Sequence, residues 1–282
     1  MKTGELDIPG LTIAYKMWGN PSNPPVLALH GWMDNANSFD GLAAILLNHY
    51  YVIAIDLPGH GHSSHLPLSS HYHFTDAICV VVQVIRALQL DKVHLLGHSM
   101  GACLGSLIGG VAPEYLLSLT LIEGLGPFSH PAETACQQLS NYLNYLIQDE
   151  TKQSKGFAQL DLAAKARAIR GYVSLDIARI LVARGVVHRD GSYYWRHDRR
   201  LLVPSPLRMT ETQVLSCLEQ IQVKTCLLWA SDGFSFDSEL MQRRVHAIKR
   251  LRVEHLEGGH HVHMEQPEAV AQLLADFMRR PN

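Results

Sequence analysis

The chain has 282 residues, 47% hydrophobic and 18% charged, a balance that excludes a disordered chain. Its 26 acidic and 24 basic residues leave a formal charge of −2, without the basic excess of a nucleic-acid-binding surface. There is no run of about 20 apolar residues for a membrane span. The five dispersed cysteines include no CxxC pair and point to free thiols in a reducing, cytoplasmic compartment.

Along the first half, short apolar runs alternate with helical patterns. Strands are predicted at residues 11–18, 26–30, 51–56, 93–97 and 119–123, with helices at 38–48, 74–88 and 99–111 between them. Runs that are nearly continuous in apolar residues fit strands buried on both faces, as in a parallel sheet covered by helices. From 128 to 222 the texture turns helical (133–148, 160–170, 175–184), with no buried strand predicted. A polar and aromatic loop at 190–200 follows, and then Thr210 with Gln213, the pattern of a capping box. Alternation resumes with strands at 225–230 and 252–256 and helices at 240–248 and 267–278, the last opened by Pro267. The expected architecture is an α/β core, residues 1–127 and 223–282, doubly wound through right-handed crossovers. A helical insertion, residues 128–222, interrupts it.

One motif carries chemistry. Gly97-His98-Ser99-Met100-Gly101 fits G-x-S-x-G, and it lies between a predicted strand and a predicted helix. That setting is a sharp turn which holds a serine hydroxyl above the sheet, with glycines where a side chain would strike neighbouring backbone. The helix that follows aims free N–H groups at the site and favours developing negative charge. Ser99 is therefore the candidate nucleophile. It needs a base and a third group to orient that base. His260, after Gly258 and Gly259, is the candidate base, with His261 and His263 as rivals. The three histidines could also bind a metal, yet no acid or cysteine stands at a recognisable ligand spacing, so no metal is assigned.

These motifs together resemble the α/β-hydrolase-fold serine hydrolases. His30-Gly31-Trp32 resembles the family's oxyanion loop, and Asp56-Leu57-Pro58-Gly59-His60-Gly61-His62-Ser63 the loop after its fourth strand. Gly258-Gly259-His260, with Glu265-Gln266-Pro267, resembles its histidine loop. Within the fold, His30 to Ala36 and Gly259 to His263 are most similar to the serine hydrolase-like group. The resemblance implies the α/β-hydrolase fold, with a helical cap inserted between the sixth and seventh core strands.

The triad acid stays open between two carboxylates. Asp232 follows the strand at 225–230, the commonest position in the family, but Trp229-Ala230-Ser231-Asp232 is one residue short of the usual Trp-Gly-x-x-Asp. Glu123 ends the sixth-strand run, where the serine hydrolase-like group carries an acid; Asp237 is a more remote option. Both strand ends face the crevice in which such sheets bind ligands. The expected oxyanion hole is the backbone N–H of Trp32 and of Met100. The insertion is expected to act as a lid, with Phe128, Tyr142, Tyr145, Tyr172, Tyr193, Tyr194 and Trp195 available to line a pocket or to pack within the lid. Arg196, Asp198 and Arg200 are expected to tie its loop.

The function implied is hydrolysis of a small ester, thioester or related acyl compound through an acyl-enzyme. The alternatives are carbon–carbon bond hydrolysis and a slow or non-catalytic ligand receptor on the same scaffold. Haloalkane and epoxide chemistry on this fold uses an aspartate where Ser99 stands. No G-x-G-x-x-G after the first strand and no P-loop is present, so no cofactor is implied. The expected partner is a small-molecule acyl substrate, with no nucleic acid and no membrane span.

Overall fold

A computed structural model describes residues 1–149, 155–171, 173–234 and 238–279. In chain order its strands are β1 (Lys2–Ile8), β2 (Leu11–Trp18), β3 (Pro25–Leu29), β4 (Tyr51–Ile55), β5 (Val93–His98) and β6 (Leu116–Ile122). A hairpin of β7 (Val186–Arg189) and β8 (Ser192–Trp195) follows, then β9 (Thr225–Asp232) and β10 (Leu251–Gly259). The core helices are α1 (Asp40–Leu46), α2 (Asp76–Ala87) and α3 (Met100–Val111). Between β6 and β9 lie α4 (Ala135–Asp149), α5 (Leu160–Gly171), α6 (Leu175–Gly185) and α7 (Glu211–Leu218). The chain closes with α8 (Ser238–Ala247), α9 (Val262–Glu265) and α10 (Pro267–Arg279). Among the described residues no helix is long and apolar enough to cross a membrane.

Eight strands form one sheet in the order β1-β2-β4-β3-β5-β6-β9-β10. β1 and β2 pair antiparallel, as do β2 and β4; the remaining pairs are parallel. The parallel strands are the near-continuous apolar runs of the sequence, and their burial on both faces explains that composition: Val26 to Leu29 and Val93 to His98 are buried throughout. One apolar cluster, with Val84, Leu104, Ile108 and Val214, lies between the sheet and α2, α3 and α7. A second, with Leu42, Val270, Leu274 and Phe277, fills the space under α1 and α10.

Two elements depart from the sequence reading. β1 was not predicted: Lys-Thr-Gly-Glu-Leu-Asp-Ile alternates exposed and covered positions at a sheet edge and carries no apolar run. The insertion, read as helical, also contains the β7–β8 hairpin, which packs Tyr193 and Trp195 against Ala163, Ala178 and Val182 of α5 and α6. Thr210 caps α7 with the reciprocal Gln213 bond of a capping box.

Several histidines are built into this core. Burial drives His94 down to about 4, and His60 and His263 down to about 3. In the unfolded chain each titrates near ~6.5, so below that pH the unfolded state takes up protons which the folded state refuses. Each such group then removes up to ~1.4 kcal/mol of stability per pH unit. The melting temperature, followed by circular dichroism, is expected to fall steadily from pH 6.5 to 5, and His94→Gln is expected to make that slope shallower.

Candidate active site

The turn between β5 and α3 is set by close approach. A methyl group on Gly97 would sit 2.3 Å from the Gly101 carbonyl oxygen, and one on Gly101 would sit 2.1 Å from that of Leu29. Glycine at both positions lets the first turn of α3 press onto β3. Ser99 takes φ 51° and ψ −112°, a conformation that costs a non-glycine residue about 1–3 kcal/mol. Its N–H donates to the carbonyl of Ile122 on β6 at 2.8 Å, which helps hold the strained turn. Met33 and Glu123 also have positive φ, 62° and 56°, so three strained residues follow β3, β5 and β6 at one end of the sheet.

Glu123 is 1% exposed, and among the described residues its carboxylate accepts three hydrogen bonds. Ala230 N–H donates to Oε1 at 2.7 Å, while Phe234 N–H (3.2 Å) and His260 Nδ1 (3.1 Å) reach Oε2. A carboxylate can only accept, so Nδ1 of His260 carries the proton and Nε2 keeps the lone pair. The Phe234 ring packs edge-on against His260, with centroids 4.1 Å apart. Asp232, the other candidate, is exposed and bonded to the Ser231 hydroxyl at 3.3 Å. The carboxylate against His260 is thus that of Glu123 and not that of Asp232. Asp237 and Tyr172 lie outside the described residues.

His260 is brought beside the turn that carries Ser99 through His98, whose Nε2 donates to the His260 carbonyl at 2.8 Å; the two rings are 4.8 Å apart. Among the described residues no hydrogen bond joins the Ser99 hydroxyl to His260, a contact that often tightens only when substrate is bound. The rival histidines face elsewhere. His263 Nε2 bonds the Ser38 hydroxyl at 2.7 Å, and His261 Nε2 donates to Asp34 Oδ2 at 3.0 Å.

Asp34 is 2% exposed and gathers more than one partner. Arg167 of α5 donates to its Oδ1, and His98 Nδ1 is 3.7 Å from its Oδ2. Burial pushes the carboxyl up, but His261, Arg167 and His98 together outweigh burial and hold it well below its ordinary value. Asp34, His98 and His261 present ligand-type atoms within 4.8 Å of one another. Arg167 and the His261 N–H already occupy the carboxylate, and a divalent ion beside that guanidinium would leave buried excess positive charge. Sequence reasoning did not single out Arg167 or the position of His98, because four separate segments meet there.

A cavity of about 180 Å³ opens beside Trp32 and Met100. Leu57, Phe74, Val80 and Leu104 of the core and Leu201 and Val203 of the insertion help to wall it. Trp32 is half exposed and donates from Nε1 to the Leu201 carbonyl at 3.3 Å. Among the described residues, Phe128, Tyr142, Tyr145, Tyr193, Tyr194 and Trp195 do not line this cavity; its rings are Trp32, His60, Tyr72, His73 and Phe74. Phe128 stays exposed, with the Arg208 guanidinium over its ring. The tie at 196–200 is made by Asp198, which accepts from Arg200 and, at 2.8 Å, from Tyr72, and by Arg196, which donates to the Val186 carbonyl at 3.0 Å.

Residues 24–267 match the family model of the alpha/beta hydrolase fold. The chain is 30% identical to a serine hydrolase-like protein of Danio rerio, over 97% of this chain and 87% of that one. It is 32% identical to a probable serine hydrolase of Drosophila melanogaster, over 96% and 86%. Among solved structures, a hypothetical protein of Pseudomonas aeruginosa PAO1 superposes with a TM-score of 0.94 at 35% identity, covering 99% of both chains. A thioesterase domain from the curacin biosynthetic pathway superposes with a TM-score of 0.84 at 30% identity, covering 98% of this chain and 99% of that one. With its G-x-S-x-G turn at the head of a mostly parallel sheet, the chain belongs to the α/β-hydrolase family, among its serine hydrolase-like proteins, and is a hydrolase.

Proposed function

We propose that the protein hydrolyses esters or thioesters of apolar acyl groups through an acyl-enzyme formed on Ser99, with His260 as base and Glu123 as the acid that orients it. The carrying observation is the 3.1 Å bond from His260 Nδ1 to the buried Glu123 carboxylate, one residue beyond the carbonyl that anchors the strained Ser99. Nε2 of His260 takes the Ser99 proton as Oγ attacks the substrate carbonyl. The oxyanion is met by the N–H groups of Trp32 and Met100, helped by the N-terminus of α3. Collapse expels the alcohol or thiol, protonated by His260. Water, deprotonated by the same nitrogen, then releases the acid and restores Ser99. The 180 Å³ cavity beside Trp32 and Met100 supports an apolar acyl group as the part held, with the insertion serving as a cap over it. The likeness to a thioesterase domain supports the same acyl chemistry. Free thiols at Cys79, Cys103, Cys136, Cys217 and Cys226 support a reducing, cytoplasmic setting.

With p-nitrophenyl esters, Ser99→Ala and His260→Ala are each expected to lower kcat by at least ~10³, and Glu123→Gln by about 10²–10⁴. Asp232→Asn is expected to stay within a factor of about two of the parent rate. Wild-type turnover by Ser99→Ala, or loss confined to Asp232→Asn, overturns the reading.

Gly233 provides a second test. A methyl group there would sit 2.1 Å from Glu123 Oε2, so Gly233→Ala must displace the carboxylate from His260. The expected result is a kcat lowered ~10–100-fold in a protein that still folds, read by steady-state kinetics beside circular dichroism.

A further inference from the structure

We propose that Asp34 is a positioning residue for the reaction, a buried carboxylate that sets the nucleophile turn, the histidine loop and the oxyanion loop relative to one another and to α5 of the insertion. The inference rests on the reading of Ser99 and His260 above. Its basis is where the partners of Asp34 stand in the chain. His98 immediately precedes Ser99, and His261 immediately follows His260. Asp34 itself comes two residues after Trp32. One side chain thus meets the immediate neighbours of both reacting residues, bonding His261 at 3.0 Å and packing against His98, whose Nδ1 lies 3.7 Å from Oδ2, beyond hydrogen-bond range. The bond from His98 Nε2 to the His260 carbonyl closes the ring on its far side.

Glycine at position 31 keeps this joint tight. A methyl group there would lie 2.9 Å from His98 Nδ1 and 3.0 Å from Asp34 Oδ2. The loop is then fastened outward by residues next to Asp34. Asn35 Nδ2 donates to the Leu181 carbonyl at 2.8 Å, and Asn37 Nδ2 to that of Ile180 at 3.0 Å.

Arg167 has two effects in this arrangement. It fixes Asp34 to the insertion, and it neutralises a carboxylate beside the loop where a second negative charge would develop during reaction. An uncompensated Asp34 would oppose that oxyanion. The insertion therefore contributes to the rate through its contact with a core loop as well as by covering the pocket.

The test measures kcat, KM and the rate of fluorophosphonate labelling of Ser99 in Asp34→Asn, Arg167→Met and Arg167→Lys, using p-nitrophenyl butyrate and the full chain. Circular dichroism and melting temperature report the folded fraction. Asp34→Asn is expected to lower kcat and labelling ~10–100-fold per folded molecule while KM changes less than about threefold, because a misplacement of the order of an ångström acts on the chemical step. Arg167→Met is expected to lose at least ~10-fold in kcat, and Arg167→Lys to recover most of it. If Asp34→Asn does not fold, His261→Asn reads the same link, and its kcat is expected to fall similarly. Wild-type kcat and labelling in folded Asp34→Asn, or in His261→Asn, overturn the inference while an inactive Ser99→Ala leaves the triad reading intact. A fall in melting temperature with unchanged kcat per folded molecule overturns it equally, since a purely structural tie would give that result.

Discussion

The site depends on how closely the first turn of α3 is pressed onto the ends of β3 and β6. Glycines 97 and 101 permit distances that no Cβ could tolerate, and the cost is a left-handed φ at Ser99. Ser99 persists there because its N–H is bonded to Ile122, the last residue of β6. The same strand end then turns through Glu123, itself at positive φ. The Ser99 turn and the Glu123 turn are therefore joined by one backbone hydrogen bond between adjacent strands. A carboxylate just past β6 shares the rigidity of the Ser99 turn, whereas one beyond β9 would reach His260 from a different loop.

Much of this was legible in the sequence, for a physical reason. Strands buried on both faces must be apolar throughout, so β3, β4, β5, β6 and β9 announce themselves as continuous runs. G-x-S-x-G is informative because steric exclusion, at two known positions, demands glycine. The edge strand β1 follows a weaker rule, alternation, over a segment containing Gly4. The β7–β8 hairpin did leave a signal, Asp190-Gly191, whose φ values of 50° and 73° are those a two-residue hairpin turn requires. Its flanking strands are only four residues each, too short to stand out from a helical surround.

The acid shows where one sequence stops. Glu123 and Asp232 both end parallel strands, and local patterning treats them alike. Three-dimensional facts separate them: the N–H groups of Ala230 and Phe234 point at Glu123, and Gly233 lacks the Cβ that would fill its place. Asp232 meanwhile stays in solvent. Asp34 could be read as a residue that hydrogen-bonds its loop into shape, but its partners Arg167, His98 and His261 were illegible for a similar reason. The joint draws on the loop after β3, β5, the loop after β10 and α5, and no spacing rule connects four segments.

α5, α6 and Asp198 tie the insertion to the core through polar groups, whereas α7 is packed into the main apolar cluster through Val214 and Leu218. Arg184 of α6 reaches both oxygens of the buried Asp56 at 2.8 and 3.0 Å, Arg167 reaches Asp34, and Asp198 accepts from Tyr72. Buried ion pairs add little net stability, because desolvation offsets attraction, but losing one partner costs about 3–5 kcal/mol. Such ties therefore tolerate one docking geometry and penalise others. The Asp198 tie ends on Tyr72 at the cavity, whose apolar walls come from Leu57, Phe74 and Leu104 on one side and Leu201 and Val203 on the other. With α7 seated in the core and the polar ties fixing α5 and α6, the apolar walls stay apart around a cavity of about 180 Å³, where burial of an apolar group needs no polar compensation.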